Sequence, residues 1–121
     1  MESRYFISDQ GILTLDFQSD KIANEDTMNR VFEFLQSGLA KGHSLVLVDM
    51  RRAQGMTKKA HQMVREFGYN LSLTGAAIVA DSPLSRMLGS FYIGIFRPPY
   101  PIRLFNERTE AEYWLHSLEK Q

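Results

Sequence analysis

The order of apolar patterns along this chain predicts an α/β fold, ββαβαβαβα, with a mixed, mostly parallel sheet and helices packed on it. Three observations carry that prediction. Residues 45–48 and 75–80 are nearly continuous apolar runs, as in strands covered on both faces. One-sided apolar stripes at helical spacing lie between and after them. Two short alternating segments open the chain, joined at Asp9-Gln10-Gly11, where Gly11 supplies the positive φ of a tight hairpin.

Element by element, residues 4–9 and 12–17 read as an antiparallel hairpin. In its second strand Leu13, Leu15 and Phe17 alternate with Ile12, Thr14 and Asp16, predicting one strongly buried face. Asn24 has the chemistry of a helix N-cap, with Glu25 and Asp26 in the favourable first turn. The stripe Met28, Val31, Phe32, Leu35 and Leu39 comes next, and Gly42 stands where a helix ends. After the strand at 45–48, Asp49 opens a polar loop, and Thr57 caps a helix whose stripe is Ala60, Met63, Val64, Phe67 and Leu71. The strand at 75–80 ends at Asp81. Ser82-Pro83 then gives an N-cap followed by proline at the first helical position. That third helix is expected to bury Leu84, Met87, Leu88, Phe91 and Ile95, and Pro98-Pro99-Tyr100-Pro101 stops it. Residues 102–105 form a last strand. Asn106 or Thr109 caps the final helix, with Ala111, Trp114, Leu115 and Leu118 on its inner side.

At 121 residues the chain is expected to be one domain over 1–121. Its 44% hydrophobic and 23% charged content is that of a globular protein rather than a disordered one. Fourteen basic and fourteen acidic side chains balance, which argues against nucleic acid, since phosphate binders carry a basic excess. The absence of cysteine excludes disulfides, thiolate nucleophiles and thiolate-held metals. No signal-peptide layout opens the sequence, and the longest apolar stretch, 87–96, falls short of the roughly 20 residues that span a bilayer. A cytoplasmic protein that does not span the membrane is expected.

The run Ala76-Ala77-Ile78-Val79-Ala80-Asp81-Ser82-Pro83-Leu84-Ser85-Arg86-Met87-Leu88-Gly89-Ser90-Phe91, continuing through Arg97-Pro98-Pro99-Tyr100-Pro101 to Arg103-Leu104-Phe105, resembles the SpoIIAA-like proteins. Ala111 with Trp114-Leu115 fits the same pattern. These uncharacterised bacterial proteins are similar to the STAS-like domains, the fold of anti-sigma-factor antagonists and of the cytoplasmic tails of sulfate transporters. The resemblance implies a STAS-like domain with a regulatory or protein-interaction role, no catalysis and no cofactor. Anti-sigma-factor antagonists carry a phosphorylated serine in Asp-Ser-Ser-Gly after the third strand. The matching stretch here, Arg52-Ala53-Gln54-Gly55-Met56-Thr57-Lys58, lacks that motif, and Thr57 is its nearest hydroxyl.

Ligands of open α/β sheets gather beyond the carboxyl ends of the parallel strands. That rim is expected to hold Asp49, Arg51, Asp81 and Ser82, with Thr57 and Ser82 at helix starts that favour an anion and Lys58 and Arg86 nearby. The same threonine and serine also serve as plain caps. Asp49 and Asp81 lack a histidine or nucleophile at a telling spacing, so no catalytic residues are assigned. His43, His61 and His116 fall in separate elements, with His61 expected on an exposed helix side, so no metal is assigned either. The third helix carries a second apolar face, Tyr92, Ile93 and Phe96, beside the small residues Gly89, Ser90 and Gly94. Glycine within a helix costs close to 1 kcal/mol relative to alanine. Three offsets are open: a homodimer or protein interface through Gly89, Tyr92, Ile93 and Phe96, an apolar ligand pocket, or a covering by Tyr100 and the prolines. The first makes the domain a homodimeric interaction module. The second makes it a carrier or sensor of a small amphipathic ligand such as a lipid.

Overall fold

The computed structural model describes residues 3–18 and 22–119. Five strands form one sheet in the order β1-β2-β3-β4-β5: β1 Arg4–Ile7, β2 Leu13–Asp16, β3 Leu45–Asp49, β4 Gly75–Val79 and β5 Ile102–Phe105. The β1–β2 pair is antiparallel and every other pair is parallel. Gly11 turns the hairpin with φ of 79°. Helices α1 (Glu25–Ala40), α2 (Lys58–Met63), α3 (Pro83–Phe96) and α4 (Arg108–Glu119) come after β2, β3, β4 and β5, which is the order expected from the sequence. Crossovers of one hand that always step the same way along a sheet leave their helices on one face.

Alternation along the strands divides the core. Leu13, Leu15, Val46 and Ala76 meet Met28, Val31 and Leu35 of α1 and Ala60 and Met63 of α2. Ile12, Leu45, Leu47, Ala77 and Val79 meet Ala111 and Leu115 of α4 on the opposite face. All of Leu13–Asp16 is buried, so β2 lacks the polar outer face that its alternation predicts. The reason is α4, which places Arg108 over Asp16.

The N-caps are as the sequence predicts. Asn24 and Thr27 form a reciprocal capping box, Thr57 accepts from the Ala60 N–H, and Ser82 pairs likewise with Ser85. The α4 helix starts at Arg108, between the two expected caps, and the Glu107 carbonyl accepts from the Ala111 N–H.

Two helices depart from their expected stripes. Residues Val64–Gly68 continue α2 as a π-helical turn, whose extra residue rotates the chain beyond it. Phe67 thus faces solvent rather than the core, while Gly68 is buried. His61 is half-buried rather than exposed. In α3 the buried positions are Ser85 and Gly89, whereas Leu84 and Met87 are 51% and 61% exposed, which corrects the expected core stripe. A small face wins because it allows close approach. A Cβ on Gly89 would lie 2.8 Å from Leu104 Cδ1 and 3.3 Å from Ile78 Cγ2. The side chains of Phe91, Tyr92, Ile95 and Phe96 lie outside the described residues.

Candidate functional site

The carboxyl-end rim carries a charge cluster on its α4 side. Asp16 and Asp49 are register partners at the ends of β2 and β3, and both are almost fully buried. Two carboxylates on adjacent strands repel and need cations. Arg108 supplies one to both, with Nη2 at 3.4 Å from Asp16 and 2.9 Å from Asp49. Arg51 grips Asp49 through Nε at 3.0 Å and Nη2 at 2.7 Å, and its backbone N–H donates at 3.1 Å. Arg4 approaches Asp16 at 3.6 Å, and Gln18 Nε2 donates to it at 2.8 Å. Burial pushes the Asp49 carboxyl up, but the hydrogen bonds from Arg51 and Arg108 outweigh it and hold Asp49 below the usual carboxylate range. A carboxylate so held stays ionised and does not serve as a proton donor near neutral pH.

The other expected rim residues are either exposed or satisfied locally. Asp81 is exposed, and its charge reaches Arg51 only as a weaker addition to the Asp49 pair. The Thr57 N–H donates to the Ala23 carbonyl at 2.8 Å, and Lys58 beside it is exposed. The Ser82 hydroxyl caps α3 through Ser85. Arg86 bonds the Ala80 carbonyl at 3.3 Å and the Asn106 side chain. Asp49 and Arg51 are thus brought together, Ser82 and Arg86 share a second corner, and Thr57 with Lys58 occupies a third. Asp16 and Arg108, which complete the first corner, carry no mark in the sequence. Nothing local signals a contact spanning β2 and α4. Among the described residues, no group of three or more His, Asp or Glu side chains is arranged to hold a metal ion.

The opposite face of the sheet holds a cavity of about 650 Å³. Close-packed interiors leave few voids larger than a water molecule, whereas ligand sites span roughly 300–1,000 Å³. Its floor is Leu15, Val46, Val48, Ala76 and Ile78, and its roof is Met28, Val31, Phe32 and Leu35 of α1. Small side chains create the room: Ala23, Ala53, Gly55, Gly68 and Ala76 all line it. Its exposed lining residues Ile22, Asn24, Asp26 and Gln54 gather where the segments before α1 and α2 meet, which places the mouth there. There Ala23 and Gly55 are tied by a 3.0 Å backbone bond, and Asn24, Asp26 and Gln54 border the opening. At the far end Tyr100 donates its hydroxyl to the Gly68 carbonyl at 3.1 Å, tying the proline segment to the π-helical turn. Burial pushes the Tyr100 phenol up to about 12, so it stays protonated and donating. Expected interface residue Gly89 is buried against this chain's own sheet and Ile93 is half-buried; Tyr92 and Phe96 fall among the undescribed side chains.

A mixed sheet with an opening hairpin, three helices on one face and a fourth on the other defines an α/β domain of the STAS-like class, here with an apolar cavity under its first helix. The chain belongs to the family of the domain of unknown function DUF7793, whose profile matches residues 5–119. Among solved structures it is similar to an uncharacterized protein of the DUF3478 family with a SpoIIAA-like fold from Shewanella loihica PV-4. That match has a TM-score of 0.67 and 16% identity, and covers 93% of this chain and 91% of that one. The likeness bears out the SpoIIAA-like fold expected from the sequence. A protein of unknown function from Arthrobacter sp. FB24 is 27% identical over 95% of this chain and 93% of its own, with a TM-score of 0.34. No curated protein matches the sequence. Among the described residues no helix is long and apolar enough to cross a membrane.

Proposed function

We propose that this STAS-like domain is a non-catalytic, cytoplasmic carrier or sensor that takes a small amphipathic molecule into the cavity beneath α1. The cavity carries this reading: its volume of about 650 Å³ suits a lipid-sized ligand, and its walls are aliphatic and aromatic with polar groups at the mouth. The π-helical turn supports it, since such turns are frequent where backbone is shaped for binding. Native mass spectrometry of the purified protein is expected to show a retained mass that organic extraction removes. Saturating the extracted protein with dodecanoate should then raise its melting temperature, because a ligand bound only by the folded state stabilises it. A clean apo mass together with an unmoved melting temperature would overturn the reading.

The interaction reading has an observation of its own. Leu84 and Met87 put two large apolar side chains on the outer surface of α3, while the expected interface residue Ile93 is half-buried on a different side of the helix. A second copy of the chain, seated there as a homodimer, would remove both from water. Sedimentation at micromolar concentration is expected to show a dimer that Met87→Glu converts to a folded monomer. A wild-type monomer under those conditions removes this second reading and leaves the first intact.

A further inference from the structure

We infer that the cavity selects ligands ending in a single carboxylate, received at its mouth by the Arg30 guanidinium and the Tyr5 hydroxyl, with the alkyl chain lying over Val46 and Ala76. This rests on the cavity being a ligand site. Most polar groups of the lining are already spent. Asn24 and Thr27 saturate each other in the capping box, the Ser3 hydroxyl accepts from the Gln18 N–H, and Tyr100 is bound to Gly68. Arg30 and Tyr5 are not: among the described residues neither makes an ion pair or hydrogen bond. The two donors act on the same region, since burial raises the Tyr5 phenol while the Arg30 charge draws it back down. An edge contact with Phe17 at 5.9 Å and a tilted one with Phe34 at 6.2 Å hold the Tyr5 ring beside the cavity.

Arg30 is the single cation among the described lining residues and Asp26 the single anion. The two are not equivalent. Asp26 lies in the first turn of α1, where the helix dipole and free N–H groups already favour its charge. Arg30, past the first turn, has no such compensation, so among the described lining residues the uncompensated charge is positive and suits an anionic head. Asp26 then acts against the ligand.

Titration of the extracted protein with dodecanoate, dodecanol and dodecylamine tests this. Dodecanoate is expected to bind at least about tenfold more tightly than dodecanol, and dodecylamine least well. Arg30→Gln and Tyr5→Phe should each weaken dodecanoate about fivefold and leave dodecanol unchanged, whereas Asp26→Asn should tighten dodecanoate. Equal binding of dodecanoate and dodecanol, or preference for the amine, overturns the carboxylate inference while the cavity reading stands. If none of the three binds, the cavity reading itself fails.

Discussion

Arg108→Met is expected to destabilise the protein by about 3 kcal/mol in urea unfolding at neutral pH. Breaking a buried ion pair by removing one partner commonly costs about 3–5 kcal/mol, and here one guanidinium serves two carboxylates. Asp16 and Asp49 would be left in register, almost fully buried, with Arg51 on only one of them. Arg108 is partly solvent-exposed, which places the estimate at the lower end. It also begins α4, where a cation opposes the helix dipole, so the residue serves the carboxylates at some cost to its own helix. Arg108→Lys should recover part of the loss, because an ammonium supplies the charge but not the rigid guanidinium that sets one Nη2 against both carboxylates.

The pH dependence of that loss has a defined sign. Asp49 is held below its ordinary value in the folded protein, so its contribution is present above the unfolded carboxylate range, near about 4, and is lost as pH falls through the lower folded value. Without Arg108 one opposing hydrogen bond goes while burial remains, so Asp49 moves up. The folded variant then takes a proton more readily than the folded wild type, and the stability gap should narrow as pH falls from neutral toward the carboxylate range. A gap that stays constant, or a variant as stable as wild type at neutral pH, would mean the cluster is solvated and contributes little.

The elements are legible because each is punctuated locally. Asn24, Thr57 and Ser82-Pro83 declare helix starts by hydrogen-bond chemistry that needs no tertiary partner, and Gly11 declares its turn by φ. Features that the pattern does not reveal depend on partners far along the chain. Asp16 reads as the solvent side of an alternating strand, but its burial is decided by an arginine on the last helix. Leu84 and Met87 read as core, but the contact depth of α3 is set by Gly89 against Leu104 and Ile78, so the small side of the helix turns inward. The cavity is invisible in the sequence for a related reason. A void is the sum of several small residues on different elements, together with a π-helical turn that no apolar period predicts.

The same void makes a prediction whose sign separates two pictures of the core. Ala76 lies on β4 between Val46 and Ile102, buried beneath the cavity. If that space is held open for a ligand, the ring of Ala76→Phe enters it and buries new apolar surface. The extracted protein should then gain about 1–2 kcal/mol, at roughly 0.8 kcal/mol for each methylene-sized group buried less the entropy of fixing the ring. Dodecanoate binding should fall more than about tenfold, since displacing two methylenes of its chain alone forfeits about 1.6 kcal/mol. A closely packed core responds in the opposite way, because a forced ring costs about 1–3 kcal/mol in strain. Loss of stability on Ala76→Phe in ligand-free protein would therefore mean that the sheet and α1 close the space in solution. Increased stability with lost binding would identify the alanine as a residue that keeps room for a guest at the expense of the fold.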